Sequence, residues 1–454
     1  MLYPSVSGTL LPKYGGSSDV SSPRHAAARA IIRYTAAMTS HFTKDFFIGN
    51  RTKLFADLQV KNPLVIVAAH STLQRSADTT YPFSQDRNFW YLTGCNEPDV
   101  VCVMTADEAY FILPQDNQTR DIFDGAISTT ALREISGIQT VYSAREGWSR
   151  LKTTLAKQHD VFTCLPSSSY VSHYGLCTNP SRRRLLEKLR RLQPKLDVQD
   201  LRPYCAKHRM IKQPAEIAAL REAVRITTES LDALRRSSSL ETITSEMMLE
   251  AAITYEFRSR GAAGHGYTPI VASGKNATTL HYVDNASSLN DGDCIVVDVG
   301  AEVENYSADI TRVLKKTPLT ARQQAVLDAV IDVQRYGCSL LKPGVRMRDF
   351  ETKIAERMGQ RLVSLGLLAQ PNDRAGIRRY YPHATSHFLG LDVHDAGDYA
   401  VPLQAGMVLT CEPGIYIPEE GIGMRIEDDI LITSTGNENL SGRCSYEPHE
   451  LYLT

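Results

Sequence analysis

Leu289-Asn-Asp-Gly292-Asp-Cys-Ile-Val-Val-Asp298-Val-Gly300 has an echo later in the chain: Leu403-Gln-Ala-Gly406-Met-Val-Leu-Thr-Cys-Glu412-Pro-Gly414. Leu289 maps onto Leu403, Gly292 onto Gly406, Asp298 onto Glu412 and Gly300 onto Gly414, always 114 positions apart. Each copy reads as a turn, an apolar strand and a carboxylate where the strand ends. A second acid follows each, Asp309 in Ser-Ala-Asp-Ile-Thr-Arg and Glu427 in Arg-Ile-Glu-Asp-Asp-Ile, and His387 lies between the copies. Two related half-sites facing each other bring four carboxylates and one imidazole to one place. Such a cluster repels itself unless cations neutralise it, and a two-metal site is the simplest resolution.

The bulk of the chain frames this reading. Its 454 residues predict two or three domains with ample core. Fifty basic and 51 acidic side chains leave a net charge of -1, which gives no electrostatic case for nucleic acid or an anionic membrane. No apolar run approaches the length of a membrane span. The nine cysteines are scattered and form no Cys-x-x-Cys pair, as in a reducing compartment. Cys294 and Cys411 fall inside apolar strands and read as buried, inert thiols.

Three segments follow. Residues 1–44 are rich in Ser, Gly and Ala, with Arg24, Arg29 and Arg33 against a single acid, Asp19. They read as a disordered extension or an organellar transit peptide, or the start lies at Met38. Residues 45–213 alternate strand and helix, with Leu64-Val-Ile-Val-Ala-Ala and Val100-Val-Cys-Val-Met as buried strands and Arg182–Arg191 as a solvated basic helix. Pro214 opens a long helix with Ile217, Leu220, Val224 and Leu231 on one face, and the domain boundary is placed there. In 214–454, Thr320-Ala-Arg-Gln323 is a capping box ahead of Val326, Val330 and Val333. After Lys342-Pro-Gly-Val, a second helix carries the stripe Phe350, Ile354, Met358 and Leu362. This half is a duplicated helix-plus-strand unit.

The site residues carry defined chemistry. Asp298 and Asp309 flank Glu302-Val-Glu-Asn-Tyr, a strand-turn-strand that aims both carboxylates at one point. Alone this spacing is weak; beside Glu412, Glu427 and His387 it is strong. His383, His387 and His394 fall within twelve positions, and Gly390 argues for loop and strand there instead of helix. One ligand, His387, and two substrate-contacting histidines is the favoured division. One imidazole among four carboxylates suits Mn²⁺, with Co²⁺, Fe²⁺ or Zn²⁺ as further choices. His281 and His394 stand 113 positions apart and read as partners at the rim of the site. Two bridged metals acidify a shared water and polarise the bond it attacks. Glu412 is placed to take the nucleophile's proton, and neutral histidines to bond a developing oxyanion. The reaction class is hydrolysis.

These residues resemble the metallopeptidase family of aminopeptidase P, prolidase and methionine aminopeptidase, the pita-bread fold. The likeness rests on Ile-Val-Val-Asp298-Val-Gly, Ala-Asp309-Ile-Thr-Arg, His387-Phe-Leu-Gly-Leu-Asp-Val-His394-Asp, Leu-Thr-Cys-Glu412-Pro-Gly-Ile-Tyr416 and Gly-Met-Arg425-Ile-Glu427-Asp-Asp. Arg75-Ser-Ala-Asp78 through Trp90-Tyr-Leu-Thr-Gly94 adds likeness to aminopeptidase P in the first lobe. The resemblance implies an α/β (α+β) chain: an N-terminal creatinase/aminopeptidase P-like α/β domain followed by a pseudo-two-fold pita-bread catalytic domain. It implies that Asp298, Asp309, His387, Glu412 and Glu427 bind two divalent ions, usually Mn²⁺. It gives His281, His383 and His394 substrate and transition-state contacts, and places Tyr416 and Arg425 around the residue after the scissile bond. Arg425 reads equally as an ion-pair partner of the ligand carboxylates. The implied reaction removes an N-terminal residue ahead of proline, in a homodimer or homotetramer located in the cytoplasm, or in mitochondria if residues 1–37 are a transit peptide. Prolidase action on Xaa-Pro dipeptides is the alternative. Methionine aminopeptidases lack such a first lobe, and non-catalytic relatives lose metal ligands that this chain keeps.

Overall fold

The continuous apolar run Leu64–Ala68, buried on both faces, places a strand at the middle of the first lobe's sheet. The computed structural model describes residues 40–157, 159–166, 169–236 and 242–446. Of the 1–44 leader, residues 1–39, Met38 included, lie outside them, while Lys44 already opens a helix. The strands are Pro63–Ala68 (β1), Val101–Met104 (β2), Ala109–Ile112 (β3), Thr140–Tyr142 (β4), Asp160–Thr163 (β5) and Val198–Asp200 (β6). Their spatial order is β4-β3-β2-β1-β5-β6. β2 runs antiparallel to both β1 and β3; the remaining pairs are parallel. Because successive side chains point to opposite faces, Val65 and Val67 enter one core, with Phe47 and Leu54 of helix Lys44–Leu58 (α1). Leu64 and Ile66 enter the other, with Leu185 and Leu189 of helix Ser181–Leu192 (α2).

The basic face of α2 is not wholly solvated, contrary to its sequence pattern. Arg182 turns inward, where its Nε donates to Asp86 at 2.6 Å. Asp86 is buried and caps helix Arg87–Thr93 through the amides of Asn88 and Phe89, so Arg182 neutralises a charge that the cap places in the interior.

The second half is built twice. Helices Pro214–Arg236 (α3) and Glu246–Ser259 (α4) cover a sheet of Ile270–Ser273 (β7), Cys294–Val299 (β8) and Ile310–Lys315 (β9). Helices Ala321–Leu340 (α5) and Met347–Ser364 (α6) cover Val408–Cys411 (β10), Gly414–Ile417 (β11), Ile422–Arg425 (β12) and Asp428–Ile432 (β13). The stripe Phe350, Ile354, Met358 and Leu362 is fully buried, as are Val326, Val330 and Val333. Thr320 and Gln323 form the capping box in both directions. Cys294 and Cys411 are buried, and burial pushes the Cys294 thiol up to about 12.

The echo in the sequence is an echo in space. β8 and β10 begin 114 positions apart, each after a glycine in the left-handed region: Gly292 at φ 87° and Gly406 at φ 89°. Leu289 N donates to Thr244 O at 2.9 Å, and Leu403 N to Val345 O at 2.8 Å. Thr244 and Val345 each directly precede the N-cap of a helix, α4 or α6. The match ends at the second acids. Asp298 lies opposite Thr311, whereas Cys411 lies opposite Asp428, so Glu427 takes the rung of Thr311 and not of Asp309.

Between Asp298 and Asp309 the chain makes a hairpin. Glu302 pairs with Ser307 and Val303 with Tyr306 around Glu304 and Asn305, at φ 48° and 71°. Positive φ at both central residues is the type I′ pattern, whose twist matches the strands. The turn doubles the chain back, so Asp309 returns to the end of β8 where Asp298 sits.

Candidate active site

Asp298 is the penultimate residue of β8, Asp309 precedes β9, His387 lies before an isolated bridge from Phe388 to Leu409, Glu412 follows β10 and Glu427 precedes β13. Strand ends place all five at one spot. One ligand atom each from Asp309, His387 and Glu427 lie within 4.8 Å of one another, and all three residues are buried. His387 Nε2 is 3.4 Å from Asp309 Oδ2 and 3.6 Å from Glu412 Oε1. Asp298 joins through Tyr267, whose hydroxyl meets Asp298 Oδ1 at 2.5 Å and Asp309 Oδ1 at 2.6 Å.

Other side chains hold these in place. Thr311 Oγ1 donates to Glu427 Oε2 at 2.7 Å, and Glu427 N donates to Thr311 O at 3.1 Å, which stitches the two halves together. Asp429 Oδ2 accepts from Asp309 N at 3.1 Å. Arg425 Nη2 donates to Asp298 Oδ2 at 2.6 Å and its Nη1 to Tyr416 Oη at 2.9 Å. Arg425 is therefore an ion-pair partner of Asp298. His383 Nε2 lies 2.9 Å from the same Tyr416 oxygen, and His383 Nδ1 lies 3.6 Å from Glu412 Oε2. Glu351 accepts from both Thr385 N and Thr385 Oγ1, and Thr385 O accepts from Glu412 N at 2.8 Å.

His394 packs its ring on His387 with centroids 4.2 Å apart. His281 is exposed on the segment after Ile270–Ser273, near enough to act electrostatically on both His383 and His394. The segment from His383 to His387 is loop, not helix, as Gly390 suggested.

The charge balance of the cluster fits a cation-binding site. Burial, then the neighbouring Asp309 and Glu412, holds the Glu427 carboxyl well above the usual range. Burial pushes Glu412 up to about 8, and burial raises Asp309 as well. Burial opposes charge on His387, but Asp309 and Glu412 outweigh it and lift the imidazole to about 9. Asp429 Oδ1 is buried with no hydrogen-bond partner among the described residues. So many buried carboxylates around one imidazole are protonated or paired unless hard cations replace the protons. His383 and His394 go the other way. Burial and Arg425 lower His383 to about 3, and burial and His387 lower His394 to about 4, so both imidazoles are neutral at physiological pH.

Tyr267, Thr311, Asp429 and Glu351 were not singled out by sequence reasoning. Tyr267 lies 31 positions from Asp298, and only the pairing of β7 with β8 reveals its place. The Asp-Asp run after Glu427 was the available signal for Asp429.

Residues 218–434 match metallopeptidase family M24, and residues 47–162 match the aminopeptidase P N-terminal domain. The Xaa-Pro aminopeptidase of Escherichia coli strain K12 is 34% identical over 443 residues, covering 91% of this chain and 98% of that one. The chain belongs to metallopeptidase family M24. Among solved structures, E. coli aminopeptidase P with the inhibitor Pro-Leu superposes with a TM-score of 0.78 at 31% identity, over 91% of this chain and 98% of that one. The zinc-substituted E. coli enzyme in complex with product gives a TM-score of 0.79 at 31% identity, with the same coverage. As an M24 protein the chain is a metal-dependent peptidase, with an aminopeptidase P-type first lobe ahead of the catalytic half. Among the described residues no helix is long and apolar enough to cross a membrane.

Proposed function

We propose that this chain is a metal-dependent Xaa-Pro aminopeptidase, which cuts the bond between an N-terminal residue and a following proline. The observation that carries this reading is the wall beside Glu412, where the Tyr416 hydroxyl joins His383 and Arg425. A bond to proline is a tertiary amide without N–H, and the ring fixes φ. Its site needs an apolar wall and a donor for the carbonyl, not an acceptor for an amide proton. The rings of Tyr416 and His383 with the Arg425 stem give the wall, and His394 gives the donor. The full-length likeness to Xaa-Pro aminopeptidase supports the same choice.

Asp298, Asp309, His387, Glu412 and Glu427 are the residues that would hold two divalent ions. Mn²⁺ is the preferred ion for this oxygen-rich set. Bound there, the ions would acidify an attacking water and polarise the scissile carbonyl. Glu412 takes a proton at its carboxylate, since it faces the two imidazoles at 3.6 Å and not a fixed donor. His383 and His281 orient the peptide, and neutral His394 bonds the developing oxyanion. The division into a lobe of 45–213 and a catalytic half of 214–454 assigns peptide length to the first and chemistry to the second. A homodimer or homotetramer in the cytoplasm, or in mitochondria through residues 1–37, completes the reading.

The test compares Xaa-Pro-Yaa tripeptides with Xaa-Pro dipeptides. Tripeptides are expected to be cut between residues one and two with the higher kcat/KM. Replacing proline by alanine should cost at least about tenfold, roughly 1.4 kcal/mol. Equal or better turnover of the dipeptide would move the assignment to prolidase, and indifference to proline would move it outside both.

A further inference from the structure

Beside His394 the chain turns a carboxylate the opposite way. Asp395 is fully buried and faces two cations, Arg209 Nη2 on Oδ1 and Lys212 Nζ on Oδ2, the latter at 2.8 Å. The three side chains are 1%, 3% and 0% exposed. Both cations come from Arg209-Met-Ile-Lys212, the segment that leaves the first lobe just before α3. Arg209 also reaches back to Asn88 Oδ1 at 2.8 Å and across to Asp392 Oδ2 at 2.7 Å. The backbone around the pair leaves no slack. Asp395 N donates to Phe388 O at 2.8 Å, and Gly390 O accepts from Ser307 N at 3.0 Å. A Cβ at Gly390 would meet Asp395 Oδ2 at 2.2 Å and Lys212 Cε at 2.9 Å.

We propose that Asp395, held by Arg209 and Lys212, is a positioning residue that fixes the His394 imidazole against His387. The inference rests on the reading that His394 meets the substrate. The neighbouring peptide bond makes the mechanism direct: with the Asp395 carboxylate pinned, the backbone that carries His394 has one place to be, and the ring is delivered onto His387. It also gives the first lobe a part in the chemistry, since the anchor comes from the segment that joins it to the catalytic half.

Removing only the carboxylate would strand two buried cations, a severe loss of stability by itself. The useful variant is the pair Asp395→Asn with Lys212→Met, which removes one charge of each sign and leaves Arg209 on Asp392. Lys212→Met alone is the second variant should the pair not fold. Each is made in the native chain and in His394→Ala, loaded with Mn²⁺, and assayed on an Xaa-Pro-Yaa peptide, with metal content measured beside it. The expected result is a fall in kcat of about tenfold or more with His394 present and under about twofold without it, at unchanged metal content, because residues acting through one group are not additive. Equal losses in both backgrounds, or no loss in the native one, would overturn the positioning role. Should His394→Ala alone keep full kcat, the reading of His394 fails first, and this inference with it.

Discussion

The two halves of the catalytic unit share a frame and differ in what holds their acids. In the first, Asp298 is gripped by Arg425 at 2.6 Å and by Tyr267 at 2.5 Å; the Asp309 carboxylate meets Tyr267, and the Asp309 backbone N–H donates to Asp429 Oδ2. In the second, Glu412 stands between His383 and His387 at 3.6 Å from each. A carboxylate fixed by charge-assisted hydrogen bonds is a good anchor and a poor proton acceptor; one among imidazoles is free to exchange a proton. Duplication supplies matching positions, and the surrounding side chains divide the labour between them.

The sharpest way to break this contrast is to neutralise each acid in turn. Glu412→Gln should stay at least about 100-fold down even at saturating Mn²⁺, the lower range for loss of a general base. Asp298→Asn should lose activity through metal affinity and recover most of it with excess Mn²⁺. Full rescue of Glu412→Gln in the same titration would remove its proton-transfer role.

Tyr267→Phe probes the first half alone. Loss of the phenol that bridges Asp298 and Asp309 should weaken metal binding by about 10- to 100-fold, as for other groups that orient ligands. Calorimetric titration with Mn²⁺ would check it, and unchanged affinity would mean that Arg425 suffices.

Proton binding sharpens the second half. Without ions, burial lifts Glu412 from 4.5 to about 8, and Asp309 with Glu412 carries His387 from 6.5 to about 9 against its burial. Both pKa values rise on folding. Their stabilising effect is therefore complete below the unfolded values and is lost as pH climbs through the folded ones. Above pH 6.5 metal-free protein should lose Tm, most steeply up to pH 8, where the Glu412 and His387 windows overlap, and more slowly on to pH 9. Metal-loaded protein should lose less, since ions displace those protons. Thermal melts of both forms would show it, and a metal-free Tm that is flat or rising over the window would contradict it.

The smallest effect lies in the paired turns. Alanine at Gly292 or Gly406 incurs about 1–2 kcal/mol for left-handed backbone. At Gly292 the new Cβ meets nothing within 4 Å, whereas at Gly406 it meets Ile211 Cγ2 at 2.9 Å. Denaturant unfolding should thus rank Gly406→Ala as the more damaging, and the reverse order would argue against equivalent frames.

Much of this frame was legible in the chain because it is written in local periodicity. The 114-residue echo, the α6 stripe and the Thr320 box depend on neighbours a few positions away, and each is found where the pattern puts it. The second acids show the limit. Asp309 and Glu427 look equivalent in sequence, but register pairs Asp298 with Thr311 and Cys411 with Asp428, so Glu427 falls one step beyond the ladder, at the rung of Thr311. Register depends on pairing across a sheet, which no single segment encodes. Tyr267, the inward turn of Arg182 and the Arg209–Asp395–Lys212 clamp are long-range for the same reason: a polar side chain's partner is chosen by burial, not by spacing.

In the proposed reading both halves serve one two-ion site. Metal content measured by mass spectrometry against specific activity, as Mn²⁺ is added back to stripped protein, tests it most directly. Activity should reach its plateau at two ions per chain, and Glu427→Gln, which removes one of the five proposed ligands, should lower the count. Full activity at one tightly bound ion per chain would contradict it.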